Sequence, residues 1–85
     1  MPAKHLLIPQ NVQKRVAKLP QRIRTRFNDA LLRLKQNPLI GIKLQGELAG
    51  LYKLRLGDYR VVYRFQATKK AVEVLAVEHR QGVYK

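Results

Sequence analysis

The chain has 85 residues, 46% of them hydrophobic, and carries 18 Lys plus Arg against five Asp plus Glu, a formal charge of +13. This length makes one domain, burying ~60–65% of its unfolded surface in a modest core, and the apolar content excludes a disordered chain. The absence of cysteine removes any disulfide framework or Cys-based zinc site, and the apolar run Leu6-Leu7-Ile8 is too short for a signal-peptide core or a membrane span.

Taken in order, Lys4 to Ile8 reads as a short first strand, and Pro9 either ends it or opens the next element. Val12, Val16 and Leu19 recur at helical spacing over residues 10–19. Pro20 interrupts that pattern and suits the first turn of a second helix, which runs to about Gln36. Ile23, Phe27, Leu31 and Leu34 form its apolar stripe; Arg22, Arg26, Arg33 and Lys35 lie largely off it. Asn37-Pro38 stops it, because the residue before proline disfavours the α region. Two helices meeting near Pro20 read as an antiparallel pair. Residues 39–50 read as a connection, with turns at Gly46 and Gly50.

The organising stretch is Leu51-Tyr-Lys-Leu-Arg-Leu-Gly-Asp-Tyr-Arg-Val-Val-Tyr-Arg-Phe65. Gly57-Asp58 between two β-prone runs is a two-residue hairpin signal. That turn pairs Leu56 with Tyr59, Arg55 with Arg60, Leu54 with Val61 and Lys53 with Val62. Directly opposed residues share a face. Lys53, Arg55 and Arg60 therefore project from one side, and Leu54, Leu56, Tyr59, Val61, Tyr63 and Phe65 from the other. Arg55 opposite Arg60 costs a few tenths to ~1 kcal/mol, a cost that a polyanionic ligand would reverse.

A polar turn at residues 67–70 leads to Ala71–His79, apolar on both alternating faces as a covered central strand should be. Whether Arg80 joins the cations depends on the register of that turn, since a slip of one residue reverses the faces. The whole is an α+β fold: an antiparallel sheet, made of the N-terminal strand and a three-strand meander, covered on one face by a two-helix hairpin. It forms a single domain over residues 1–85. The basic residues divide ten before Leu51 and eight after, so the folded body is itself cationic and calls for an anionic partner.

Leu44-Gln-Gly46, Gly50, the hairpin sequence through Tyr63, Val74-Leu-Ala-Val-Glu-His-Arg80 and Val83-Tyr84 together resemble the RelE/ParE superfamily of toxins from toxin–antitoxin systems. The hairpin-to-Tyr84 half carries the specific likeness; the helical half is generic. The resemblance to the RelE branch implies a cytoplasmic, ribosome-dependent endoribonuclease that cuts messenger RNA in the A site and so inhibits translation. It also implies an acidic, RelB-like antitoxin as partner, and neither metal nor cofactor. Lys53 and Arg55 match its basic strand pair, Arg60 the arginine of Tyr-Arg-Val-Val-Tyr, Arg80 the arginine ending the last strand, and Tyr84 the terminal tyrosine. Tyr84 follows Arg80 at a shorter spacing than in some members, and the C-terminal helix of many relatives is missing from the sequence.

Cleavage by the 2′-hydroxyl needs a proton removed from that hydroxyl, a stabilised phosphorane and a proton for the leaving 5′-oxygen. No convincing pair of His, Asp or Glu supplies these transfers. A cationic set offers another route: Arg60 and Arg80 on the phosphate, Arg80 also towards the leaving oxygen, Lys53 with Arg55 as base or base-orienting pair, and Tyr84 stacking on a base, orienting the hydroxyl or exchanging the proton. His79 reads as structural, and Glu47, Glu73 and Glu78 as surface charges. Three rival readings stay open: a ParE-like gyrase poison, a non-catalytic RNA binder, and a degenerate toxin that retains only antitoxin binding.

Overall fold

The structure, a computed structural model, describes residues 2–79. Its order is β1 (His5–Leu7), α1 (Gln10–Ala17), α2 (Gln21–Gln36), β2 (Ile42–Lys43), a single 3-10 turn (Gly46–Leu48), β3 (Tyr52–Leu56), β4 (Tyr59–Gln66) and β5 (Ala71–His79). Among the described residues no helix is long and apolar enough to cross a membrane.

Each helix starts directly after a proline held extended, Pro9 at φ −57° and Pro20 at φ −53°. Proline has no N–H to leave unsatisfied at that position. Neither first turn holds an acidic residue, while Lys14 and Arg15 end α1 and Arg33 and Lys35 end α2. Cations at that end complement the helix dipole. Asn37, extended at φ −145° before Pro38, terminates α2. Val12, Ile23, Phe27, Ala30 and Leu34 point from the helices into one core. Leu56, Val61, Tyr63, Val72, Val74 and Val77 meet them from the sheet. Burying such side chains contributes about 1.5–3 kcal/mol for each large one, which holds the layers together.

The hairpin register is the one the Gly57-Asp58 turn dictates: Arg55 faces Arg60, Leu54 faces Val61 and Lys53 faces Val62. Gly57 alone of the two turn residues has positive φ, at 63°, the type II′ pattern.

The sheet departs from the expected arrangement in two ways. It has five strands, ordered β1-β5-β4-β3-β2, and it is mixed, since β1 runs parallel to β5. The backbone N–H groups of Lys4 and His5 both donate to the carbonyl of Lys70, at 2.6 and 3.2 Å. The two strands thus start side by side, and starting together makes them parallel. The fifth strand, β2, is two residues long and pairs Ile42 with Lys53 and Lys43 with Tyr52.

The second hairpin contains a bulge. Pairs from Gln66–Ala71 to Tyr63–Val74 follow one register, and pairs from Val62–Ala76 to Tyr59–His79 are displaced by one residue. The inward residues of β5 are consequently Val72, Val74 and then Val77, three positions on. Past Ala71, full burial is confined to this helix-facing side; Leu75 and Ala76 keep partial exposure. Beyond Leu7 the outer edge of β5 loses its strand partner, and Arg15 of α1 reaches over to donate from Nε to the Val77 carbonyl at 3.2 Å. A charged side chain across an open edge also discourages further strand pairing.

Candidate active site

The face of the sheet opposite the helices carries the cations. Lys53 and Arg55 alternate on β3, and Arg60 stands across from Arg55 on β4. With Ile42 of β2 these three line a hollow of about 160 Å³. A larger hollow of about 380 Å³ adjoins it, sharing Lys53 and Arg60 and walled by Val62, Ala76 and Glu78, with Leu44 and Leu48 of the connection as the opposite wall. Lys53 and Arg60 are half-buried and Arg55 is exposed. The Arg55 Nε donates to the Gly57 carbonyl at 3.1 Å, which draws its guanidinium towards the turn. Lys53, Arg55 and Arg60 are thus brought together. Arg80 and Tyr84 lie outside the described residues.

Sequence reasoning missed Glu78. The displaced half of the second hairpin sets it directly opposite Arg60, completing a row Arg55–Arg60–Glu78 across three strands. Without the bulge Arg60 would face Val77, and Glu78 would point at the helices. Glu78 is therefore part of the hollow and no ordinary surface charge. Its carboxylate offsets part of the Arg55–Arg60 repulsion. No alternation in Ala71–His79 reveals this, because both faces of that run are apolar. Half-burial of Lys53 and Arg60 beside Arg55 leaves positive charge concentrated and partly dehydrated in the hollow, conditions under which anion binding strengthens.

Loop and sheet are fastened together by Tyr63. Its hydroxyl donates to the Pro38 carbonyl at 2.8 Å and accepts from the Gly41 N–H at 2.9 Å. The ring is fully buried and stacks on Tyr52 with centroids 5.4 Å apart. Burial lifts the Tyr63 hydroxyl above its ordinary pKa of 10.0; the hydrogen bond from Gly41 opposes the rise and Tyr52 adds to it. This clamp holds the chain entering β2, and with it Ile42 at the edge of the hollow.

His79 belongs to the other face. Its ring meets Tyr59 edge-on, centroids 5.2 Å apart at 89°, and Tyr59 packs on the core. His79→Gln is expected to cost ~0.5–1.5 kcal/mol from the lost ring contact, measured by thermal unfolding. Among the described residues no group of three or more His, Asp or Glu side chains is placed to hold a metal ion.

A two-layer sandwich of this connectivity, with clustered cations on the open sheet face, has the design of the RelE/ParE toxins. Residues 7–84 match the sequence profile of the ParE toxin of type II toxin–antitoxin systems, and the chain belongs to that family. It is 39% identical over 70 residues to toxin RelG of Mycobacterium tuberculosis, covering 80% of each chain. It is 30% identical over 83 residues to toxin RelE of the same organism, covering 95% of this chain and 86% of that one. Its fold superposes on a chain in the crystal structure of the RelBE2 toxin–antitoxin complex, also from M. tuberculosis, with a TM-score of 0.82 and 32% identity over 94% of this chain and 100% of that chain. The protein is accordingly a RelE-like toxin of a type II toxin–antitoxin system.

Proposed function

We propose that this toxin is a ribosome-dependent endoribonuclease that cuts messenger RNA in the A site of cytoplasmic ribosomes. The observation that carries the reading is the gathering of Lys53, Arg55 and Arg60 in one hollow on the open face of the sheet. Its likeness to toxins named RelE and RelG supports the same reading.

In the reaction the 2′-oxygen attacks the adjacent phosphorus, the P–O5′ bond breaks, the 2′-hydroxyl proton leaves and the 5′-oxygen gains a proton. The products are a 2′,3′-cyclic phosphate and a 5′-hydroxyl. Arg60 grips non-bridging phosphate oxygens with its fork, which stays charged at any working pH. Arg80 is assigned to the phosphate as well and serves the leaving oxygen. Lys53, with Arg55 beside it, draws the 2′-proton or orients its acceptor. Tyr84 stacks on a base or relays the proton. Stabilising charge that develops only in the transition state is what raises the rate.

An acidic RelB-like antitoxin is the natural cover for a chain of +13, and the RelBE complex has the same toxin fold in an assembly with its antitoxin. The family profile bears the ParE name, so gyrase poisoning is the reading to separate. Mapping transcript 5′ ends after brief expression does this. Cuts clustered within translated codons are expected; intact transcripts together with inhibited supercoiling would replace this reading with the ParE-like one.

A further inference from the structure

Where the end of β3 meets α2, a second polar groove of about 270 Å³ opens, lined by Arg26, Asp29, Ala30, Arg33, Arg55 and Leu56. Arg26, Asp29 and Arg33 fall at helical spacings that put them on one face of α2. Ala30 lies between them and keeps the floor low. The Arg26 guanidinium sits under the hairpin turn, its Nη1 3.0 Å from where a Cβ on residue 57 would stand, so the glycine there leaves room for it. Three arginines less one aspartate give this groove two net positive charges. Arg55 lines both this groove and the hollow that also holds Lys53 and Arg60. The two sites are therefore joined through one side chain.

We propose that this groove is a second phosphodiester-binding site, which holds the RNA backbone beside the nucleotide in the cationic hollow. The inference deepens the reading above and rests on it for the identity of the ligand. Arginine forks match phosphate oxygens two at a time. Phosphate contacts fix the register of a strand without reading its sequence. Asp29 is the acceptor among the lining side chains and faces a donor that RNA has and DNA lacks, the ribose 2′-hydroxyl. An acidic protein segment fits the charge but not the surface. The exposed large apolar residues Leu7, Leu32, Leu39, Ile42 and Leu48, the kind a folding peptide would cover, are absent from this lining.

The test is fluorescence anisotropy of the full-length toxin with labelled single-stranded RNA of ~4 and ~12 nucleotides, over a range of salt. Each phosphate contact on a single strand adds about 0.7 to the slope of log affinity against log salt. Arg26→Gln/Arg33→Gln is expected to reduce that slope by ~1.4 for the long RNA and to leave the short RNA unchanged. Arg33→Gln alone, away from the hairpin turn, is expected to remove about half of the change, and circular dichroism checks that the helices persist. Asp29→Ala, which removes the acceptor, is expected to erase a preference for RNA over DNA of the same sequence. Equal slopes in wild type and double variant overturn the proposal. So does a wild type that binds the long RNA no better than the short. Loss of antitoxin binding with RNA binding intact also overturns it and assigns the groove to the protein partner. A wild type that shows the expected slopes yet leaves messenger uncut on ribosomes defeats the nuclease reading and leaves the groove standing.

Discussion

Arg60→Ala is expected to slow single-turnover cleavage of ribosome-bound messenger by about 10²–10³, the usual loss when one preorganised charge donor is removed from a reaction centre. Arg60 occupies the middle of the row, between Arg55 and Glu78, and lines both parts of the hollow. Its Nη1 is buried, so part of the guanidinium is already withdrawn from water before RNA arrives. Arg60→Lys keeps the charge and loses the bidentate geometry, and its rate is expected to fall between the two. Arg55→Thr supplies a contrast in stability. It removes one of two like charges directly opposed across strands, so it is expected to raise unfolding free energy by a few tenths to ~1 kcal/mol while lowering activity. Activity and stability moving in opposite directions is the signature of a site held against local preference; parallel losses would point to folding alone.

Gly41→Ala is expected to be the most damaging small substitution outside the core. A Cβ there would stand 2.5 Å from the Tyr63 hydroxyl oxygen and 2.8 Å from the backbone carbonyl of Lys53. The first obstacle is held by two hydrogen bonds and the second is strand backbone, so neither yields cheaply. Overpacking and loss of the clamp together cost roughly 3 kcal/mol, which lowers the melting temperature of a domain this size by ~12–24 °C. Because Ile42 is the next residue, the edge of the hollow moves as well, and cleavage should fall with stability. Tyr63→Phe leaves the Gly41 N–H and the Pro38 carbonyl without their partner and is expected to cost ~1–3 kcal/mol.

The pH dependence identifies the clamp. The folded-state pKa of Tyr63 is raised, chiefly by burial, so its neutral form is favoured by folding. That stability is fully present below the ordinary pKa of 10.0 and is lost as pH rises through the folded value. Denaturant unfolding of the wild type above pH 10.0 should weaken with a slope that Tyr63→Phe lacks.

Local chemistry made much of the fold readable in the sequence. Gly57-Asp58 fixes the turn, and the turn fixes the opposition of Arg55 and Arg60 before any tertiary contact is considered. Pro9, Pro20 and Pro38 punctuate two helices whose apolar spacing is plain. What stayed hidden depends on contacts between distant segments. Ile42–Lys43 is too short to carry a period of its own and becomes a strand only by pairing with β3. The parallel sense of β1 comes from backbone bonds to Lys70, which no side-chain pattern records. Glu78 entered the site through a bulge in a run that is apolar on both faces. Arg26 and Arg33 lie off the apolar stripe of α2 in the sequence, and only the packed fold brings Arg55 beside them.

The chemistry of the cut ends is the most direct measurement. Messenger bound to ribosomes, treated with the toxin and analysed by mass spectrometry of the fragment termini, is expected to carry 2′,3′-cyclic phosphate on one side and 5′-hydroxyl on the other, with a single 2′-deoxy substitution at the scissile nucleotide abolishing the cut. Fragments ending in 5′-phosphate, or cutting that persists at the 2′-deoxy position, would contradict a cationic hollow acting through the 2′-hydroxyl.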